Sequence, residues 1–228
     1  MDVLTDIAFE VDAEALLEEL RLPTDGERAD RVAEMLDAAK AVARPKAVVD
    51  ACYLDAKGDD SVSFGGATFT SRVLRVNLDE AGRVFPFVAT CGRELADYAA
   101  SLDDMVLSFA LDAVMVKALG AAVERVRQHV TETYALGTTA VMNPGSLEDW
   151  PLDQQGPLFS IFGKVKELIG VELTDSFLMV PIKSVSGLVF PTEVRFESCQ
   201  LCPREACKGR RAKYDPELWQ QRYGTTPS

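Results

Sequence analysis

Residues 46–91, KAVVDACYLDAKGDDSVSFGGATFTSRVLRVNLDEAGRVFPFVATC, decide the fold. Runs rich in β-branched and aromatic residues, AVVDACYL, SVSF, ATFTSRVLRVNL and RVFPFVATC, alternate in this segment with the turn sequences GDD, GG and DEAG. Short β-rich runs separated by such brief turns are typical of strands that pair with their neighbours in the sequence. The segment therefore predicts an antiparallel sheet.

Helical patterns lie on both sides of this β-rich segment. From Gly26 to Pro45, the apolar residues Val32, Met35, Leu36 and Ala39 recur at the spacing of one helix face. From Asp112 to about Tyr134 a longer apolar stripe follows, formed by Met115, Leu119, Ala122, Val126 and Val130. Because strands and helices occur in blocks, the sequence predicts an α+β fold and not a wound parallel sheet.

The two ends of the chain give weaker patterns. The alternation IAFEVDAEAL predicts a short strand near the start, and the spacing from Glu14 to Leu20 predicts a helix that ends before Pro23. After Leu136 the sequence predicts a short helix around Pro157 to Leu168 and strands in SFLMVP and SGLVF. With no repeat and no long linker, residues 1–228 are expected to form a single domain, with an N-terminal segment 1–25 and a cysteine-rich basic C-terminal segment 195–228.

Composition limits the possible partners. The formal net charge of -12 argues against nucleic acid, whose phosphates bind Lys and Arg. The first residues carry acids where a secretory signal has basic residues. The apolar segment after Asp112 is interrupted by Lys117, Glu124 and Arg125, so no membrane span is expected. These features predict a cytoplasmic protein.

An ordered string of motifs resembles one known family. Asn143-Pro144-Gly145-Ser146 is followed by DWP, QQ, IGVELTDS and MVPIKSVSG, and TCGREL and LDA stand upstream. This order, over roughly residues 85–200, resembles the activation domain of cobalamin-dependent methionine synthase, and especially its short stand-alone homologues. The resemblance implies a twisted antiparallel sheet with flanking helices. It also implies S-adenosylmethionine binding and support for the reductive remethylation of oxidised cobalamin.

Glu124 matches a helical acid in the family's ligand site. The resemblance implies that its carboxylate could face the amino group of a bound amino-acid moiety. The alternative is a solvated acid that pairs with Arg127 or Gln128 one turn further along the helix.

The turn at Asn143, Pro144, Gly145 and Ser146 could bring backbone amides close to a ligand, since glycine allows close approach. The alternative is simply a tight turn. The family commonly has Arg three positions before the proline and Tyr directly after the glycine, where this chain has Val141 and Ser146. These departures remove a bidentate cation and an aromatic surface, and they count against S-adenosylmethionine.

The strip Ser184, Val185, Ser186 and Gly187 is the second predicted ligand-binding segment. It offers two hydroxyls on one side of an extended chain, with a glycine where close approach is possible. The strip could line a small ligand or a corrinoid partner. The alternative is a polar strand edge.

The C-terminal cysteines have no counterpart at this place in methionine synthase. Cys199, Cys202 and Cys207 lie among Arg195, Arg204, Lys208, Arg210, Arg211 and Lys213. In a cytosolic protein a CxxC pair with a third cysteine favours a metal centre, either an iron-sulfur cluster or zinc. Cys91, with Cys52 and His129 as alternatives, could supply a fourth ligand. A redox disulfide and inert thiols are the other interpretations.

Together these features predict an accessory protein for a corrinoid (cobalamin)-dependent methyltransferase. It would aid reductive reactivation of the corrinoid or methyl transfer, with electrons entering through the C-terminal metal centre. A non-catalytic module that binds a corrinoid protein or small metabolite, stapled by zinc, is the first alternative. An S-adenosylmethionine-binding methyltransferase component is the second.

Overall fold

The computed structural model describes residues 1–193, 196–207 and 209–224. Eight strands form the main sheet, every pairing is antiparallel, and two short strands pair separately. The strands are β1 (Asp2–Leu4), β2 (Lys46–Val49), β3 (Cys52–Lys57), β4 (Ser61–Phe64), β5 (Ala67–Thr70), β6 (Arg83–Thr90), β7 (Thr139–Met142), β8 (Glu172–Leu173), β9 (Met179–Val180) and β10 (Ser184–Pro191).

β6 is the central strand of the main sheet. It pairs with β2 and β3 on one side and with β10 on the other, and β10 also pairs with β7. All of β6 after Arg83 is buried, as expected for a strand covered on both faces. The predicted antiparallel sheet is confirmed.

Eight α-helices flank the sheet within the described residues. They are α1 (Ala13–Glu19), α2 (Glu27–Val42), α3 (Arg72–Asn77), α4 (Arg93–Ala100), α5 (Met105–Tyr134), α6 (Gln155–Phe162), α7 (Val165–Ile169) and α8 (Pro216–Tyr223). The predicted helices from Glu14, from Gly26 and from Asp112 correspond to α1, α2 and α5, although α5 begins earlier, at Met105. The helix predicted around Pro157 to Leu168 is two helices, α6 and α7, separated at Gly163.

One predicted strand is wrong and a second is wrong in part. No strand forms in IAFEVDAEAL, and the N-terminal strand lies before this segment, over Asp2–Leu4, where it pairs with β2. The segment instead precedes and begins α1. The Asp12 side chain accepts a hydrogen bond from the backbone N–H of Ala15 and caps this helix. ATFTSRVLRVNL is a strand only to Thr70, since Ser71 caps α3 by accepting the N–H of Leu74.

α5 packs lengthwise across one face of the sheet. Ala122, Val126 and Val130 of α5 pack with Phe85, Phe87 and Val189 of the central strands. By length and composition α5 could cross a membrane, contrary to the sequence expectation, but core helices of soluble proteins meet the same criterion. α6 and α7 lie on the opposite face, where Phe162 and Val165 pack on Val48 and Val88.

The C-terminal helix α8 packs on the far end of the sheet. Trp219 and Tyr223 join a buried cluster with Phe64, Phe69 and Trp150, and the Tyr223 hydroxyl donates to Asn77 Oδ1 at 2.9 Å. Burial raises the pKa of Tyr223, so the phenol stays protonated and remains a donor at neutral pH. The segment after the cysteines is therefore tied back to the core.

Candidate functional site

The two segments predicted to bind a ligand meet where β7 ends beside β10. β7 pairs with β10 only from Leu188 onward, so residues 184–187 keep one strand edge that β7 does not cover. Asn143, just past β7, donates its side-chain amide to the Ser186 carbonyl at 2.8 Å. The chain therefore brings Asn143 and Ser186 together although 43 residues separate them.

Gly187 makes this close approach possible. A Cβ at Gly187 would lie 2.4 Å from Asn143 Nδ2, 2.5 Å from the Met142 carbonyl oxygen and 3.1 Å from Phe87 Cε1. Cβ atoms in proteins essentially never approach other heavy atoms within 3.0 Å. The glycine in the predicted strip thus allows the close contact between the two segments.

Residues 143–150 form a closed turn. Gly145 has a φ of 79° and donates its N–H to the Trp150 carbonyl at 2.7 Å, and the Ser146 N–H donates to the Asn143 carbonyl at 3.2 Å. Pro144 and Trp150 are buried, whereas Gly145 and Ser146 are exposed. The turn therefore presents Gly145 and Ser146 to solvent on a rigid base.

The two predicted hydroxyls are buried and engaged within the chain. Ser184 Oγ lies 2.9 Å from Thr90 Oγ1 and 2.7 Å from the Pro181 carbonyl, and Ser186 Oγ donates to Gln155 Oε1 at 3.1 Å. Gln155 in turn donates to the Phe177 carbonyl. The strip is thus a buried polar network. Thr90 and Gln155, which complete it, occur in quoted motifs, but nothing in their spacing marks them as its partners.

Asp149 is a further residue that sequence reasoning did not single out. Its Oδ2 accepts the Val73 N–H at 2.9 Å and the Ser71 hydroxyl, and its Oδ1 accepts the Arg72 N–H at 3.1 Å. The Asp149 carboxylate thereby caps α3. A negative charge at a helix N-terminus is stabilising, because it interacts favourably with the helix dipole. This contact fixes the turn against the β5–α3 part of the fold.

Glu124 has its carboxylate engaged on its own helix. Arg127 donates to both oxygens, at 2.8 and 2.9 Å, and Gln128 donates at 3.3 Å. α5 lies on the sheet face opposite the Ser184 and Ser186 hydroxyls, because those side chains share the face of Val88 and Gln155. The structure therefore matches the alternative for Glu124, an acid paired one turn along the helix, and does not bring it to the serine hydroxyls.

The Arg127 hydrogen bond holds the pKa of Glu124 below its usual range. We expect NMR titration to give Glu124 a low pKa that rises toward the ordinary glutamate value in Arg127→Gln. A carboxyl whose folded-state pKa is depressed contributes stability above the unfolded pKa and loses it as pH falls through the folded value. Since both groups are about half exposed, the pair contributes only about 0.3–0.5 kcal/mol, so the pKa is the quantity to measure. An unchanged pKa in Arg127→Gln would contradict the pairing.

Val141 and Ser146 occupy the two positions where the family commonly has Arg and Tyr. Val141 is half-buried and packs against the cluster beneath α5, which includes Val126 and Val189. Ser146 is exposed. Val141 is therefore used for apolar packing, and Ser146 leaves an open surface on the turn.

The three C-terminal cysteines lie on an irregular loop. Cys199 and Cys202 stand at a single 3-10 turn, in which the Cys202 N–H donates to the Cys199 carbonyl at 3.3 Å. The Arg210 guanidinium donates to the carbonyls of Cys199, Cys202, Arg204 and Ala212, and the Arg211 N–H donates to Cys199 Sγ. Arg210 is therefore the central tie of this loop.

Metal-ligating groups do not gather into a site within the described ranges. No three side chains of His, Cys, Asp or Glu come close enough there to hold a metal ion. Cys202 is half-buried against the cluster around Trp219, whereas Cys207 is exposed. Arg195 and Lys208, two of the basic residues around the cysteines, lie outside the described residues. Within the described ranges, the loop therefore does not bring Cys199, Cys202 and Cys207 together around one point.

The proposed fourth ligands are placed elsewhere. Cys91 is fully buried in the cluster of α2, α4 and α5, and burial raises the pKa of its thiol to about 12. Burial likewise raises the pKa of Cys52 to about 11. His129 pairs with Asp2 of β1 at 2.9 Å. Cys52 and Cys91 are thus buried thiols that stay protonated at neutral pH and pack as small apolar side chains.

A cavity lies on the α6–α7 side of the sheet. It has a volume of about 370 Å³ and is lined by Phe159, Ser160, Val165, Lys166 and Glu172 among others. Glu172 is held between Arg93 and Lys166, at 3.2 and 3.0 Å. The cavity includes none of the residues that the sequence assigned to a ligand.

Comparison with solved structures finds the crystal structure of the MetH reactivation domain bound to AdoHcy. The TM-score is 0.59 and the sequence identity 15%, over 87% of this chain and 81% of that chain. No family model and no curated protein sequence matches the chain. At this identity the likeness shows the fold alone, and it confirms the predicted α+β fold of an antiparallel sheet with flanking helices as that of the MetH reactivation domain.

Proposed function

We propose that this protein is an accessory protein of a corrinoid-dependent methyltransferase, which it contacts through the exposed part of the turn of residues 143–146, where that turn lies against the buried residues 184–187. The proposal rests on one observation. The fold is that of the MetH reactivation domain, and the two family-like motifs come together at one place on that fold. Neither motif adjoins the other in sequence, so their contact is a property of the fold.

The chemistry of this surface suits a large partner better than a small ligand. Gly145 and Ser146 are exposed on a rigid turn, whereas the hydroxyls of Ser184 and Ser186 are already satisfied inside the chain. Pre-organised turns of this kind lose little conformational freedom on binding. The turn therefore offers a protein partner a rigid, exposed ridge at Gly145 and Ser146.

Binding of S-adenosylmethionine is a lesser candidate. The neighbour carries AdoHcy, but in this chain Val141 packs into the core and Glu124 is held by Arg127. The side chains that could clamp a carboxylate or face an amino group are thus absent or occupied. Isothermal calorimetry with S-adenosylmethionine is expected to give no stoichiometric heat, and tight one-to-one binding would restore this candidate.

A metal centre in the cysteine loop stays a prediction and carries no step of the proposed function. The described loop offers no group of three ligands, and Arg210 is bound to four of its carbonyls. Metal and acid-labile sulfide analysis of protein purified without oxygen tests it. Iron with sulfide would add electron transfer to the proposal. Zinc would support a non-catalytic binding module in which the metal stabilises the cysteine loop.

The proposed surface is tested by placing a large charged side chain at the exposed residue Ser146. Ser146→Arg is expected to weaken binding to the purified cobalamin-loaded module of a methionine synthase at least tenfold, roughly 1.4 kcal/mol, in calorimetry or gel filtration. Ser101→Arg, at an exposed serine that ends α4, is the matched control and should bind as the unmodified protein does. Equal affinities for all three proteins would reject this surface, and no binding by any of them would reject the corrinoid partner.

A further inference from the structure

Cys199 and Cys202 lie in one tight turn of the C-terminal loop. The Leu201 N–H donates to the Ser198 carbonyl at 3.1 Å, and the Cys202 N–H donates to the Cys199 carbonyl at 3.3 Å. Successive bonds between residues three apart are those of a 3-10 helix, in which the side chains at i and i+3 lie on the same face. The turn therefore places the two cysteine side chains on one face.

The same turn gives the two cysteines the spacing that a disulfide needs. The first and fourth Cα atoms of a hydrogen-bonded turn lie within about 7 Å of each other, and a disulfide joins Cα atoms roughly 4.4–6.8 Å apart. The turn is held at both ends, because the Glu197 N–H donates to Gln200 Oε1 at 2.9 Å and the Asp215 N–H donates to the Gln200 carbonyl at 2.8 Å. A bond between the two sulfurs thus needs little backbone movement.

Arg210 binds both cysteines with one guanidinium. Its Nη1 donates to the Cys199 carbonyl and its Nη2 donates to the Cys202 carbonyl, each at 3.1 Å. The planar group with its fixed donors is rigid, so the two carbonyls are held in one relative position. Arg210 is therefore a positioning residue for the pair.

The two cysteines have different surroundings. Cys202 packs against the buried cluster that contains Trp219, whereas Cys199 is partly exposed and lies outside that cluster. The backbone N–H of Arg211 donates to Cys199 Sγ at 3.4 Å and fixes the direction of this sulfur. A reagent from solvent therefore meets Cys199 first, and Cys202 lies behind it in the same turn.

We infer that Cys199 and Cys202 are a redox-active thiol pair that exchanges with disulfides of low molecular weight, such as oxidised glutathione. The Cys199 thiolate attacks one sulfur of the reagent, breaks its S–S bond, forms a mixed disulfide and releases one thiolate. Cys202 then attacks the Cys199 sulfur, which forms the internal disulfide and releases the second thiolate. The two protons of the cysteines pass to the released thiolates, so the protein loses two electrons and the reagent becomes two thiols. This activity goes beyond the proposed function and needs no corrinoid partner.

Mass spectrometry can locate the disulfide, because trypsin cleaves after Arg195 and Arg204. The peptide of residues 196–204 contains Cys199 and Cys202 but not Cys207. The full chain is reduced, freed of reductant, treated with oxidised glutathione, and its remaining thiols are then blocked with iodoacetamide. We expect this peptide to carry no blocking group and to have the mass of the reduced peptide less two hydrogen atoms.

Serine variants test the order of the two steps. Cys202→Ser should stop at the mixed disulfide, so that peptide 196–204 gains one glutathione. Cys199→Ser should slow the reaction of this peptide at least tenfold, since Cys202 packs against the buried cluster. Cys207→Ser is the matched control and should leave the internal disulfide unchanged, because Cys207 is exposed and lies outside the turn.

Three results would overturn the inference. The first is a peptide 196–204 that keeps both blocking groups after treatment with oxidised glutathione. The second is a disulfide that joins Cys207 to Cys199 or Cys202 in place of the internal one. The third is iron or zinc bound to Cys199 and Cys202 in the purified protein, since sulfurs held by a metal are not a free thiol pair. The assay contains no corrinoid protein, so its failure would leave the proposed function standing.

Discussion

Replacing Gly187 with alanine is expected to lower the free energy of unfolding by about 3 kcal/mol. The added methyl group would lie 2.4 Å from Asn143 Nδ2 and 2.5 Å from the Met142 carbonyl oxygen. One of these atoms is backbone in a paired strand, so the strain cannot be relieved by a side-chain rotation alone. Urea unfolding followed by circular dichroism measures the loss.

Gly82→Ala is the control for Gly187→Ala. No heavy atom lies within 4 Å of a Cβ at Gly82, so this change should alter the free energy of unfolding by less than about 0.5 kcal/mol. If Gly187→Ala were as stable as Gly82→Ala, the contact between the β7 turn and β10 would not be as close as described, and the two motifs would not be packed together.

Replacing Asp149 with alanine is expected to cost about 2 kcal/mol and to loosen the turn of residues 143–150. The change removes the acceptor of three hydrogen bonds, from the Arg72 and Val73 amides and from the Ser71 hydroxyl. Because these donors lie at the N-terminus of α3, the helix also loses a favourable negative charge. Chemical denaturation gives the stability, and hydrogen exchange of the α3 amides gives the local effect.

Glu148→Ala is the matched control on the same turn. Glu148 is exposed and makes no hydrogen bond or ion pair with the described residues, so its loss should change stability by less than about 0.5 kcal/mol. Faster exchange in α3 for Asp149→Ala alone is the expected pattern. Equal effects of the two substitutions would show that Asp149 does not cap the helix.

Periodicity was sufficient to predict much of the fold. The stripes of Val32 with Met35 and of Val126 with Val130 predict α2 and α5, and the β-rich runs predict the antiparallel sheet, because burial of a repeating apolar face determines both. The strand expected through residues 71–78 is α3 instead. There a capping serine and the distant Asp149 outweigh the β propensity of Val73 and Val76.

The candidate site was predictable only as separate segments. The motif order identifies Asn143 and Ser186, but the amide that joins them depends on where β7 ends beside β10. Gln155 and Thr90 could not be assigned as partners of the serines, since pairing across 31 and 94 residues leaves no local pattern. Glu124 shows the opposite case, in which the local partner Arg127 was visible from spacing alone.

The most direct test of the proposed function follows the cobalt of a corrinoid partner. The partner is a cobalamin-loaded methionine synthase that lacks its own reactivation domain and starts with its cobalt in the oxidised, inactive state. It is mixed with a low-potential electron donor without oxygen, and visible absorption follows the cobalt. Addition of this protein should speed the one-electron reduction of cobalt(II) to cobalt(I) by the donor, seen as the spectrum of the active reduced cobalamin, and Ser146→Arg should slow that recovery at least tenfold while Ser101→Arg does not. A spectrum that stays that of inactive cobalt, with no complex between the two proteins, would contradict a role in servicing a corrinoid-dependent methyltransferase.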